Sequence, residues 1–225
     1  MTTINDKEFR ESKKIYFGKN KIKNEYISLK EFITKEFNVE VLNIAVDIVK
    51  RGNEKTNRVQ VILKTDSDFK KYFFNPHPTD GVWNPNDTEA NKRICEEIKL
   101  NYRNILKLPD EKFFIIGSSF ENIARQEIYE QINNYLPNKL MNELNENKIW
   151  MIKLAFTCTY VMCYNTSQIN EIENKYKKII QNKIITELKK NNPYDFISFE
   201  NPLIVFDSKE NFDNNYQGNW FYYFR

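Results

Sequence analysis

The chain has 225 residues, 40% hydrophobic and 15% aromatic, which is material for a substantial core and excludes disorder over most of its length. Lys and Arg total 34 against 31 Asp and Glu, and the two signs are interspersed at a net charge of +3, so the one-sided excess of a dedicated nucleic-acid binder is missing. No stretch approaches the roughly 18 to 20 consecutive apolar residues of a membrane-spanning helix, and the opening segment has no apolar centre of the kind a secretory signal needs. Cys95, Cys158 and Cys163 are odd in number and lack CxxC spacing, as expected of buried thiols in a reducing compartment. The expectation is a soluble cytoplasmic protein without a membrane partner, and its abundant Lys, Asn and Ile suggest an AT-rich bacterial genome.

Residues 1–25 read as a polar N-terminal extension. In "ISLKEFITKEF" Ser28 stands three positions before Glu31, the spacing of a capping box, and Leu29, Phe32, Ile33 and Phe37 share one helical face. A hairpin follows: Leu42, Ile44, Val46 and Ile48 alternate with more polar neighbours, as do Val59, Val61 and Leu63, and "RGNEKTN" connects the two runs. "TDSDFKKYFF" reads as a short helix. "NPHPTDGVWNPND" is a loop, because Pro76, Pro78, Gly81 and Pro85 break any regular element. Asn86 and Glu89 form a second capping pair before a helix carrying Ala90, Ile94, Ile98, Tyr102 and Ile105, and "KFFIIG" is a strand.

The second half begins with a helical "LPNKLMNELNEN". "KIWMIKLAFTCTYVMCY" then alternates as one long bent strand or a tight hairpin, with Trp150, Ile152, Leu154, Phe156, Cys158, Tyr160, Met162 and Tyr164 in phase. A long helix runs from about Ser167 to Lys190 on a stripe of Ile169, Ile172, Tyr176, Ile179, Ile180, Ile184 and Leu188. "YDFISF", "PLIVF" and "NWFYYF" read as strands. Two similar stretches, "SSFENI" (118–123) and "DSKENF" (207–212), each follow an apolar run, and each sets an acceptor side chain three residues before a glutamate, Ser118 before Glu121 and Asp207 before Glu210. Capping of a helix that leaves a buried strand explains both. The order of elements recurs, so the expected fold is α+β, built as a diverged internal duplication with halves over 26–134 and 135–225. Each half would be an antiparallel sheet covered by helices on one face, the two packed as a pseudo-dimer.

No chemistry announces itself. The lone His77 has Asp80 and Trp83 close behind it, and a histidine near a carboxylate has the makings of a general base; an exposed loop pinned by its tryptophan accounts for the same residues. One histidine and three scattered cysteines do not assemble a zinc site, and a nucleophilic cysteine would have to recruit His77 from the other half. Ser118 and Ser119 lack the G-x-S-x-G context of a nucleophile at a strand-to-helix turn, and five unclustered glycines leave no phosphate-binding loop. Asp47 with an acidic or lysine neighbour could hold Mg²⁺ in a nuclease, although with 31 acidic residues such pairs arise by chance. The aromatic run "NWFYYFR" offers Trp220 and Tyr222 for contact with a partner or for base stacking, against the plainer reading of a terminal strand docked in its sheet. The functional expectation is a protein-interaction module (an inhibitor, immunity-type or adaptor protein) without catalytic machinery, cofactor or metal, meeting a protein partner through His77, Asp80, Trp83, Trp220 and Tyr222. The alternatives are a metal-dependent hydrolase or nuclease with a carboxylate site in the cleft between the halves, and a nucleic-acid-binding protein.

Overall fold

Alternation in "VLNIAVDIVKR" and "EKTNRVQVIL" produces the expected hairpin, and the computed structural model, which describes residues 4–51, 54–73, 88–108 and 113–225, divides into two compact units, one up to Ala124 and one over Arg125–Arg225. Both are mixed α and β.

The first unit opens on helix α1 (Lys7–Tyr16), so the segment expected as a polar extension contains a helix with Phe9 and Ser12 buried. Helix α2 (Asn24–Phe37) follows, with Leu29 and Ile33 in the core. It starts one turn earlier than the Ser28–Glu31 pair suggests, so Ser28 lies inside the helix and caps nothing. Asn38, left-handed at φ 51°, ends it. Strands β1 (Val41–Arg51) and β2 (Glu54–Leu63) pair antiparallel, with a bulge at Leu42 that moves Val41 into phase with Ile44 and Val46. Helix α3 (Asp66–Tyr72) is capped by Thr65, and α4 (Glu89–Glu97) by Thr88 and not by Asn86, which lies outside the described residues. One π-helical turn, Ile98–Tyr102, extends α4. Strand β3 (Phe113–Ser119) then pairs with β2 in parallel.

The parallel third strand corrects the expectation of an antiparallel sheet. A parallel pair needs a long crossover between its strands, and the stretch from Leu63 to Phe113, which carries α3 and α4, supplies one. One face holds Val41, Ile44, Val59, Val61, Leu63 and Ile115 in a core shared with Leu29, Ile33, Ile94 and Ile98. The register puts Asn43, Ile62 and Ser118 on the opposite face, where Asn43 Nδ2 donates to Ser12 Oγ of α1 at 3.1 Å. This sheet therefore carries helix on both faces, not one.

Helix α5 (Phe120–Asn133) leads into the second unit, followed by α6 (Leu136–Leu144) and a tight hairpin of β4 (Ile149–Ala155) and β5 (Cys158–Cys163). After a 3₁₀ turn comes α7 (Ile169–Lys190), whose inner stripe buries Ile172, Tyr176, Ile180, Ile184 and Leu188 as the periodicity predicts, whereas Ile169 is half-buried and Ile179, at the edge of the stripe, is exposed. Strand β6 (Leu203–Ser208) pairs in parallel with β5, and α8 (Lys209–Tyr216) and α9 (Trp220–Tyr223) close the chain. "YDFISF" forms no strand, although Tyr194, Ile197 and Phe199 are buried. "NWFYYF" is helical: Asn219 caps Phe221 N–H at 2.9 Å, and four residues then turn on themselves.

Both sheets have the same strand order and directions, β1-β2-β3 and β4-β5-β6. Each first strand has a bulge at its second residue, Leu42 or Trp150. The two similar stretches explain themselves here, though not as capping boxes. The caps lie one residue later than expected: Ser119 Oγ accepts from Asn122 N–H at 3.1 Å, and Ser208 Oγ from Asn211 N–H at 3.0 Å. Each glutamate reaches away from its own helix to the segment after the middle strand, Glu121 to Asp66 N–H and Glu210 to Thr166 N–H, both at 2.9 Å. The glutamate's own N–H donates to the residue after that strand, Lys64 or Tyr164. A carboxylate thereby satisfies an otherwise orphaned backbone donor at the same place in each unit.

Candidate functional site: an aromatic cluster on the second sheet

The register of β4, β5 and β6 sets Lys153, Tyr160 and Val205 in one row, and Met151, Met162 and Asp207 in the next, all on one face. α8 and α9 bring an aromatic cluster onto this face. Tyr223 donates its hydroxyl to Asp207 Oδ2 at 2.7 Å and sets its ring 5.9 Å from that of Tyr160. Asp207 also accepts from Asn211 Nδ2 at 2.9 Å and from Ser208 N–H at 2.7 Å. It is therefore the anchor of the closing segment and not a helix cap. Trp220 packs 4.4 Å from Phe212 and stacks on Phe224 at 5.2 Å, with Lys153 Nζ 5.0 Å from its ring. Phe224 in turn lies 5.1 Å from Tyr160 and 5.3 Å from Phe156 at the β4–β5 tip.

The electrostatics match an apolar wall. Burial pushes the Tyr160 hydroxyl up to about 12, and burial together with the Asp207 hydrogen bond raises that of Tyr223 well above the tyrosine range. The Cys163 thiol is held up to about 11, first by burial and then by Asp207 and Glu146. The Tyr160 and Tyr223 hydroxyls therefore stay neutral and support the cluster by packing and by the hydrogen bond to Asp207.

Beside the wall lies an exposed rim. Phe156 is 69% exposed, Phe221 59% and Tyr222 44%. Arg225 sets its guanidinium 4.0 Å from the Phe221 ring centroid, and Phe221 lies 5.7 Å from Tyr222. Phe156 and Thr157 form the hairpin turn with φ of 51° and 65°, left-handed values that Asn and Gly take readily and a β-branched residue resists.

Of the residues proposed for contact, Trp220 and Tyr222 are both in α9, on different sides of it: Trp220 is half-buried in the cluster and Tyr222 faces out. His77, Asp80 and Trp83 lie outside the described residues. Phe156, Phe221 and Arg225 are new members of the surface. Alternation left one long bent strand and a tight hairpin both open, and the paired positive φ values place the hairpin turn at Phe156 and Thr157.

Two further places have the residue types of a site. Asp47 and Arg58 form a two-pronged ion pair, with Arg58 Nε 2.9 Å from Asp47 Oδ1, so the carboxylate considered for Mg²⁺ is already occupied by a guanidinium. A groove of about 300 Å³ between α6 and α7 is lined by Leu136, Lys139, Glu143, Asn182, Lys183, Thr186 and Glu187. Its charges pair across it: Lys139 Nζ lies 2.7 Å from Glu187, Lys183 meets Glu143, and Tyr135 donates to Glu187 at 2.8 Å. The Lys139 ammonium and the Tyr135 hydroxyl hold the nearly buried Glu187 below the usual carboxylate range. This is a brace between helices. Among the described residues, no group of three or more His, Cys, Asp or Glu could hold a metal ion, and no helix is long and apolar enough to cross a membrane. The sequence matches no family model and no curated protein, and the fold matches no solved structure.

Proposed function

We propose that this protein is an interaction module of the inhibitor, immunity or adaptor type, and that it meets a protein partner through α9 and the β4–β5 tip. The observation that carries this is the contrast within one cluster: Trp220, Tyr223 and Phe224 are fixed by stacking and by Asp207, while Phe221, Tyr222 and Phe156 stand exposed beside them. Aromatic anchors on a preorganised support are the usual hot spots of protein interfaces, because little side-chain entropy is left to lose on binding. Affinity capture from lysate of the source organism, with and without nuclease, tests this. A stoichiometric protein that survives nuclease and is lost with the Phe221→Ala, Tyr222→Ala double variant is the expected result. Capture of nucleic acid alone, or a partner indifferent to both substitutions, sinks it.

We also infer that the two units descend from one ancestral α+β module. The shared strand order, the bulge at the second residue of each first strand, and the paired Ser119–Glu121 and Ser208–Glu210 arrangements support this. Diverse relatives, aligned with Val41 on Ile149, Lys64 on Tyr164 and Glu121 on Glu210, should show similarity between their halves above that of unrelated α+β domains. Similarity at the unrelated level would remove the inference.

A further inference from the structure

Resting on the interaction reading, we propose that the partner contributes an extended, apolar strand that pairs with the outer edge of β6, beside the exposed aromatic rim. In the order β4-β5-β6, strand β6 is paired on one side only, and among the described residues no backbone group of residues 203–206 is hydrogen-bonded to anything but β5. Its outer side is therefore a row of N–H and C=O groups that one more strand would satisfy. The other edge strands are blunted. β1 and β4 each have a bulge and set charges along the strand, Asp47 and Lys50 in one and Lys153 in the other. Every residue of β3 is buried or half-buried. β6, in contrast, pairs all six residues in register without a bulge and begins Leu, Ile, Val, Phe, yet none of residues 203–207 is buried and Leu203 is 63% exposed. Pro202, just before the strand, only fixes where pairing begins.

The open edge is continuous with the rim. Leu203 pairs with Cys158, two residues after Phe156, and Asp207 on the same strand holds the Tyr223 hydroxyl of α9. The chemistry of the edge selects its occupant. A row that alternates donors and acceptors matches extended backbone, whereas a helix has already satisfied its own groups and the phosphates of a nucleic acid accept without donating. A second copy of this chain fits poorly. Antiparallel self-pairing centred on Val205 sets Leu203 against Asp207 of the second copy, and moving the centre toward either end runs into Pro202 or into α8 at Lys209. The complement is a strand of a different protein, with uncharged β-branched or aromatic residues opposite Leu203 and Val205.

The test is selection from a random peptide library displayed on phage, using the full chain as bait, followed by fluorescence anisotropy with the winning peptides and with copies of them N-methylated at one amide at a time. Enriched peptides should alternate Val, Ile, Phe or Tyr with other residues. Methylation should weaken binding about tenfold or more at every second amide and little at those between, since only alternate groups of an added strand face β6. Leu203→Lys should also weaken binding about tenfold or more, and because Leu203 is exposed the melting temperature should stay at the wild-type value and exclude unfolding as the cause. Peptides indifferent to methylation and to Leu203→Lys but lost with the Phe221→Ala, Tyr222→Ala double variant overturn the strand and leave the interaction reading standing. A chain that is dimeric by light scattering, and monomeric with Leu203→Lys, puts a second copy on the edge and overturns the proposal. Failure to enrich any peptide also overturns it, whereas the interaction reading falls only if captured partners are indifferent to Phe221 and Tyr222.

Discussion

Gly117 on β3 is required by a neighbour and not by a turn, and its replacement gives a quantitative test of the first unit's packing. A Cβ built there would sit 2.4 Å from both Cβ and Cγ of Phe73 and 2.6 Å from Cδ1, where an unstrained carbon contact is about 3.5–4.0 Å. Phe73 is itself buried at 7% exposure, so its ring must move by about 1 Å or more out of a filled site. Overpacking of this kind costs about 1–3 kcal/mol, and the upper half of that range applies where the blocking atoms are Cβ and Cγ, which cannot swing aside without backbone movement. Urea unfolding followed by far-ultraviolet circular dichroism measures the loss, and hydrogen exchange at β2 and β3 amides assigns it to this unit. A double-mutant cycle sharpens the test. Phe73→Ala alone should cost about 3–5 kcal/mol, and in that background Gly117→Ala should cost clearly less than in the wild type, because Cγ and Cδ1 are gone while the Cβ of residue 73 still crowds the site. Additivity of the two changes to within about 0.5 kcal/mol would refute the idea that Phe73 dictates glycine at 117.

The second unit should lose stability in acid through Glu146. Lys175, the Tyr176 hydroxyl and Lys148 N–H hold its carboxyl down at about 2, below the 4.5 of a free glutamate, so its contribution is complete above the unfolded value and fades as pH falls toward 2. Glu146→Gln should lower the urea midpoint at pH 6 and change it little near pH 2, and equal losses at both would count against the linkage. Thiol labelling at pH 8 should modify at most Cys95 in the native protein, because Cys158 and Cys163 are buried with raised thiol pKa values; rapid labelling of all three would contradict that packing. Tyr223→Phe removes the hydroxyl that ties α9 to Asp207 and should speed proteolysis near Gln217 and Gly218, where both residues have positive φ. Unchanged cleavage would mean that aromatic stacking alone holds the segment.

Periodicity revealed what depends on period. The apolar stripe of α7 and the phase of Val59, Val61 and Leu63 follow from spacing, since one face meets a core and the other meets water. Capping went astray at Ser28 because S-x-x-E is also common inside helices; only the residues before it, folded back as one more turn, decide. The bulge at Leu42 changes the phase of a single residue and leaves no mark in the alternation. "NWFYYF" has strand-like composition and still coils, because the Asn219 side chain and the anchor at Asp207 outweigh a weak β preference. The aromatic rim was visible as composition, while its division into a fixed wall and an open edge depends on contacts distant in sequence, such as Tyr160 with Phe224.

The order in which β2 and β3 come together has a kinetic consequence. A hairpin closes over a few residues, but the parallel third strand can join only after a crossover, which runs from Leu63 to Phe113 in the first unit and over the shorter stretch from Cys163 to Leu203 in the second. Chain closure over the longer span is the slower search, and until it ends the middle strand has one edge open to any other strand nearby. Pulse-labelled exchange during refolding should therefore find the amides paired within the two hairpins, β1–β2 and β4–β5, protected first and those of β6 and β3 later, with crowding or high concentration most damaging in the interval before the third strands arrive.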